Sequence, residues 1–169
     1  ACVTGTVTLL HAAQKANVRR VVYAASSSAY GDSAWSSKRE SDMPSPLSPY
    51  AAAKLAAELY CQAFYHSYRL ETVCIRYFNV FGPRQDPNGA YAAVIPRFIC
   101  SMLKGERPTI YGDGKQSRDF TYIDNVVAGN LAAAAAPKAA GKTFNVAAGK
   151  SYSLLDLIEE LNVILKSSF

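Results

Sequence analysis

Apolar positions along the chain switch between two periods. Val3, Val7, Leu10 and Ala13 recur three or four residues apart, which predicts a helix over residues 3–17. Arg19–Ala25 (RRVVYAA) is short and rich in β-formers and reads as a buried strand. Residues 26–49 break both periods with Gly31, three prolines and many serines, and predict a long loop. Pro49 is a good first residue for a helix reaching about Tyr68, and Glu71–Tyr77 predicts a second buried strand. Residues 78–92, with Gly82-Pro83 and Pro87-Asn88-Gly89, predict another loop. A helix over 94–104, a short strand over 108–111 and an extended segment over 117–122 are expected next. Asp124 is expected to cap a helix ending near Ala136, and Thr143–Val146 to form a strand. Ser153 is expected to cap a last helix with Leu154, Leu157, Ile158, Leu161 and Leu165 on one face. Strands alternating with helices of this length imply an α/β fold with a mainly parallel sheet. A strand beginning at Arg19 needs neighbours, and the half of the sheet that would precede it is not in the sequence.

Composition narrows the function classes. The chain has 169 residues, half of them hydrophobic, enough for an ordinary core. No apolar run approaches the roughly 18 residues a membrane span needs, and the N-terminus has no signal-peptide pattern, so no membrane partner is expected. Cys2, Cys61, Cys74 and Cys100 are scattered. That is neither a zinc spacing nor a disulfide framework, which implies no metal and a reducing cytoplasm. The formal charge is +5, with only Arg19-Arg20 and Lys38-Arg39 adjacent. Basic residues so dispersed make no nucleic-acid stripe. They suit a mildly basic domain, or one whose ligand is a polyanion such as a diphosphate.

The candidate chemistry centres on Tyr50-Ala-Ala-Ala-Lys54. Four residues apart on a helix, both side chains share a face. An ammonium held beside a phenol favours the phenolate and makes it a usable base nearer neutral pH. The spacing alone is weakly specific: Tyr111 and Lys115 repeat it, but Gly112 and Gly114 between them make a poor helix. Support comes from Ser26-Ser27-Ser28, placed where the first strand should end, the edge at which open α/β sheets bind ligands.

Four strings, in order, carry a family resemblance: SSSAYGD, SPYAAAK, RYFNVFGPRQDPNGAYAAVIPRF and GDGKQSRDFTYIDN. The chain resembles the extended short-chain dehydrogenase/reductase family, which uses NAD(P) to modify sugar nucleotides. Within it, the chain looks like the bacterial UDP-N-acetylglucosamine and UDP-glucose 4-epimerases. The fold this implies is the C-terminal part of a Rossmann-like doubly wound parallel sheet plus a small α/β substrate-binding region. Residues 1–80 would be the second half of the NAD-binding domain. Residues 81–169 would be the substrate-binding region, interleaved with the Rossmann core. The resemblance implies NAD as cofactor, a UDP-sugar as substrate, and a homodimer built through a four-helix bundle from the helices at Val3 and Tyr50.

Residue by residue, the resemblance implies that Tyr50 takes the proton of the sugar 4-hydroxyl. Lys54 lowers the pKa of Tyr50 and holds the nicotinamide ribose, Ser26 completes the triad, and Ser27 and Ser28 touch the sugar. Tyr77 would lie against the nicotinamide. Asn79 would bond the diphosphate or sugar. Ala93 and Val94 would offer backbone groups to the nucleotide, Phe98 would pack near the uracil, and Thr109 and Tyr111 would border the uridine. Arg118 would pair with the diphosphate, a bidentate task for a guanidinium, although a surface pair with Asp119 is the plainer reading. Arg84 is a second, weaker candidate for that charge. The implied reaction oxidises C4 and reduces it again from the opposite face, with no net change in NAD.

The related 4,6-dehydratases carry an Asp-Glu pair after the triad residue, and the UDP-glucuronate decarboxylases a Glu. Ser27 and Ser28 occupy those positions here and cannot serve as general acids near neutral pH, which favours epimerisation. A dehydratase, a reductase and an inactive dimerising module stay as alternatives. The ten glycines include no phosphate-cradling glycine-rich turn. With that turn missing, the 169-residue polypeptide is expected to be inactive and to bind NAD poorly.

Overall fold

The computed structural model describes residues 2–32, 37–89 and 93–169. Parts of the expected loops over 26–49 and 78–92 lie outside these. The chain divides into two compact units, Ala1–Phe78 with Asp124–Val146, and Asn79–Ile123 with Ala147–Phe169.

The first unit holds helices α1 (Cys2–Lys15), α2 (Pro49–Tyr68) and α4 (Ile123–Ala135) and strands β1 (Arg20–Ser26), β2 (Glu71–Tyr77) and β5 (Lys142–Val146). The strands run in the order β1-β2-β5, and both pairings are parallel. β2 is central and buried on both faces. Its side chains alternate, as strand geometry requires. Val73 and Ile75 join Ala133 and Ala139 in one core cluster. Cys74 joins Leu10, Ala13, Cys61 and Phe64 of α1 and α2 in the other. The face of β2 towards α2 is partly polar: Thr72 donates to the Cys61 carbonyl at 2.7 Å and Arg76 forks onto Glu58. Arg20 closes the C-terminal end of α4, donating to the carbonyls of Ala133, Ala134 and Ala136 while pairing with Glu71 at 2.7 Å.

The helix start at α2 follows from three adjacent residues. Ser48 accepts from the Ala51 amide, Pro49 fills the first turn where no N–H is needed, and Tyr50 follows. β1 runs on to Ser26 and passes into a 3-10 turn, Ser27–Tyr30, where a loop alone was expected. Gly31 ends that turn at φ +61°, and a Cβ there would collide with the Ser45 carbonyl oxygen, so no other residue fits.

The second unit holds β3 (Asn79–Phe81), α3 (Val94–Leu103), β4 (Ser117–Tyr122), β6 (Ser151–Ser153) and α5 (Leu154–Leu165). β3 pairs parallel with β4, and β4 antiparallel with β6. Phe98, Met102, Leu154 and Leu161 form its core, with Ile110, Leu157, Ile158 and Leu165 packed around them. Ser153 and Asp156 form a capping box at α5.

Three sequence expectations fail here. Residues 108–111 form no strand: Pro108 lacks a donor, Gly105 and Gly112 turn the chain at positive φ on either side, and Ile110 alone packs against the core. Asn79–Phe81, expected as loop, is a strand because β4 offers it a parallel ladder. Asp124 is not the cap of α4. The helix starts at Ile123, so the Asp124 carboxylate sits in the first turn, where the helix dipole favours it.

Candidate active site

Parallel pairing brings the C-terminal ends of β1 and β2 level, with Ser26 opposite Tyr77. α2 packs on this sheet, and its first two turns carry Tyr50 and Lys54. The Lys54 ammonium donates to the carbonyl of Ala24, two residues before Ser26, at 2.9 Å. It stands 6.0 Å from the centre of the Tyr50 ring and 5.4 Å from that of Tyr23. The backbone contact takes one of its three hydrogens and leaves two for a ligand. Tyr50 is 56% exposed, so its phenol opens outwards from the packing. Tyr23 is different. Burial, with the Cys2, Cys61 and Cys74 thiols adding to it, pushes its phenol up to about 12, so it stays protonated and cannot stand in for Tyr50.

Three hydroxyls close the end of β1. Ser26 accepts from the Ser28 amide at 3.2 Å, and the two side-chain oxygens lie 2.8 Å apart. Ser27 stands half-buried between them. Tyr77, at the end of β2, donates to Asn130 on α4 at 2.8 Å, which fixes the ring's orientation. Tyr50, Lys54 and Tyr77, which the sequence proposes for the nicotinamide, therefore lie at one end of one parallel sheet. At that end Lys54 keeps free donors and Tyr50 an exposed phenol, while the Tyr77 hydroxyl is committed to Asn130.

The second unit contains a cavity of about 270 Å³ lined by Asn79, Ala93, Val94 and Arg118, with Phe81, Gln116, Phe120 and Leu154 among the other walls. Four of the nine expected substrate residues meet here; Ser27 and Ser28 belong to the first unit, and Phe98, Thr109 and Tyr111 are absent from the lining. Phe98 is 4% exposed and belongs to the core with Leu154 rather than to the cavity wall. Thr109 is exposed outside the lining. Tyr111 is 69% exposed, with the Arg97 guanidinium 5.9 Å from its ring centre. Tyr111 and Lys115 share no helix: Gly112 and Gly114 turn the chain at positive φ. Arg84 stands exposed in a turn at φ +68°.

Asp119 does not neutralise Arg118. Its carboxylate accepts from the amides of Ala148 and Gly149 at 2.8 and 2.7 Å and from the Thr121 hydroxyl. Arg118 is exposed, donates to the Ser117 carbonyl, and has no ion pair among the described residues. Asn79 donates to the Asp119 carbonyl at 3.2 Å. Sequence reasoning missed Gln116, which lines the cavity and whose side-chain amide donates to the Tyr111 carbonyl at 2.7 Å. It also missed Phe81 and Phe120, because only the β3–β4 pairing brings them together. Among the described residues no three His, Cys, Asp or Glu side chains are grouped to hold a metal ion, and no helix is long and apolar enough to cross a membrane.

Comparison with known proteins places the chain in a family. Residues 1–147 match the family described as NAD dependent epimerase/dehydratase. The UDP-glucose 4-epimerase of Mycolicibacterium smegmatis is 39% identical over 92% of the chain and 49% of its own length. A UDP-N-acetylglucosamine 4-epimerase from Methanobrevibacter ruminantium M1, solved with UDP-N-acetylmuramic acid, superposes with a TM-score of 0.94 at 43% identity, covering 98% of this chain and 53% of that one. The UDP-glucuronic acid 4-epimerase of Bacillus cereus, solved with UDP-glucuronic acid and NAD, gives 0.91 at 35% identity, over 99% of this chain and 52% of that one. The chain spans about half the length of the curated relatives it matches.

Proposed function

Because the chain belongs to the NAD dependent epimerase/dehydratase family, we propose that it is the part of a UDP-sugar 4-epimerase that holds the reacting groups and the nucleotide-sugar pocket. NAD, when bound, would supply a hydride acceptor and donor at the sugar's C4. The chain's own residues do the rest. Tyr50 removes the proton of the 4-hydroxyl and later returns it. Lys54, tethered to Ala24, stabilises the phenolate and offers its remaining hydrogens to the nicotinamide ribose. Ser26 hydrogen-bonds the same sugar oxygen, and Ser27 and Ser28 hold neighbouring hydroxyls. The Tyr77 ring, oriented by Asn130, would hold the nicotinamide. In the second unit Arg118 takes the diphosphate, Asn79 supports it, and the backbone at Ala93 and Val94 meets the nucleotide. UDP-glucose and UDP-N-acetylglucosamine are the substrates to test first. The free state of all four thiols suits a cytoplasmic enzyme. The paired helices α1 and α2, with Leu9, Leu59 and Tyr60 exposed on them, suit a dimer face.

The observation that carries this reading is Lys54, fixed at 2.9 Å to the strand that ends in Ser26 and on the same helix as an exposed Tyr50. Three serines with no carboxyl group favour epimerisation over dehydration at the same site. The experiment is Tyr50→Phe in the full-length protein. We expect turnover of UDP-N-acetylglucosamine or UDP-glucose to fall by about 10²–10⁴-fold with folding intact, and the parent to give an epimer mixture with no net NADH. Undiminished turnover in Tyr50→Phe, or loss of water from the sugar in the parent, overturns it.

A further inference from the structure

One turn beyond Lys54 on α2, Glu58 is 1% exposed, and Arg76, beside Tyr77 on β2, is 3% exposed. The guanidinium forks onto the carboxylate, Nη2 to Oε1 at 2.6 Å and Nε to Oε2 at 3.0 Å. Its carbon lies 4.5 Å from the ring centre of Tyr30, the residue that ends the turn begun by Ser27 and Ser28. Arg76 Nη1 is buried without a hydrogen-bond acceptor. Tyr30 in turn donates to the Asn145 side-chain oxygen at 2.8 Å, and the Asn145 backbone N–H donates to Glu40 at 2.7 Å. The other polar groups around the pair are Thr143, which donates to Glu58 Oε1 at 3.3 Å, and the thiols of Cys61 and Cys74.

A buried ion pair is a poor way to gain stability, since well-packed apolar residues commonly do as well or better. Its geometric content is another matter. A planar fork on a carboxylate fixes distance and rotation together. Glu58 lies four residues after Lys54 and shares its helix face, so a rotation of α2 that breaks the fork also swings Lys54 away from Ala24. Arg76 thus touches all three segments that carry the proposed reacting groups: α2, the end of β2, and the turn after β1. We propose that Glu58 and Arg76, braced by the Tyr30 ring, are positioning residues that set Lys54 and Tyr50 against the Ser26 end of the sheet. This rests on the reading given under Proposed function.

The test is kinetic, on the full-length protein. Arg76→Lys keeps the charge and loses the fork. Its kcat for 4-epimerisation should fall by about 10–100-fold with KM changed little, and the acid limb of its kcat–pH profile should move to higher pH as the phenol loses its fixed ammonium. The double variant Glu58→Leu/Arg76→Met should regain thermal stability and not kcat. A wild-type acid limb in Arg76→Lys, or wild-type kcat in the double variant, overturns the proposal. Should the double variant not fold, Tyr30→Leu removes the brace without touching a charge: a shifted limb supports the inference and an unshifted one overturns it. Tyr50→Phe separates the two claims. If it stays active, the assignment of the base fails. If it is inactive while the Arg76 variants keep the wild-type limb, only the positioning role fails.

Discussion

The first unit keeps one of its two arginine–carboxylate pairs, Arg76–Glu58, fully inside, with 4% and 1% of the two side chains exposed. The second keeps its corresponding cation, Arg118, at the surface beside a cavity, while the neighbouring Asp119 is committed to backbone amides. Both arrangements use a guanidinium, to opposite ends. A buried arginine forked onto a carboxylate is out of a ligand's reach, and its rigidity is available to hold elements together. An exposed arginine held only through the Ser117 carbonyl keeps donors for an anion that arrives later. Charge placement therefore separates the two units: one guanidinium is spent on internal packing, the other is left available at the surface.

Four measurements break or sharpen that contrast. The largest effect is expected from Glu58→Ala, which strands Arg76 in the interior and should cost about 3–5 kcal/mol in chemical denaturation. A loss below about 1 kcal/mol, the range of exposed pairs, would remove the distinction. Arg118→Met should leave stability within about 0.5 kcal/mol. It should weaken UDP binding by about 10–100-fold, the worth of a charge-assisted contact, read by calorimetry. Next comes the alkaline end of the stability curve. The Tyr23 phenol titrates at 10.0 when unfolded and at about 12 in the fold. Its contribution is therefore whole below pH 10 and lost as pH rises towards 12, and Tyr23→Phe should flatten that decline. The smallest effect is at the acid end, in the second unit. Asp156, held by the Ser153 amide and hydroxyl, titrates below its ordinary 3.8. Its contribution is present above that value and fades as pH falls through the lower one. Asp156→Asn should remove this acid-limb slope and change little at pH 7.

Much of the fold was legible because it is written in local patterns. The period of Val3, Val7, Leu10 and Ala13, the Pro49 start of α2 and the Ser153 cap of α5 each encode an element within a few residues. β3 and β6 were missed for the converse reason. Each is three residues long and exists only as a ladder on β4, and no window of that length has a period. The candidate site divides the same way. Tyr50 and Lys54 are one helical turn apart, so spacing alone places them together. Phe98 has the same apolar character whether it faces a base or a core, and only packing against Met102 and Leu154 decides for the core.

Taken by itself, the sequence determined that the chain is an alternating α/β protein, and it marked a phenol, an ammonium and three hydroxyls as candidates. These follow from side-chain chemistry and from backbone periods a few residues long. Only the tertiary structure decided that Glu58, Arg76 and Tyr30 meet in the interior, that Asp119 turns away from Arg118, and that residues 108–111 find no sheet to join. The partners in those contacts lie tens of residues apart. Whether a charge is buried and paired, or exposed and available, is fixed by what the fold packs against it.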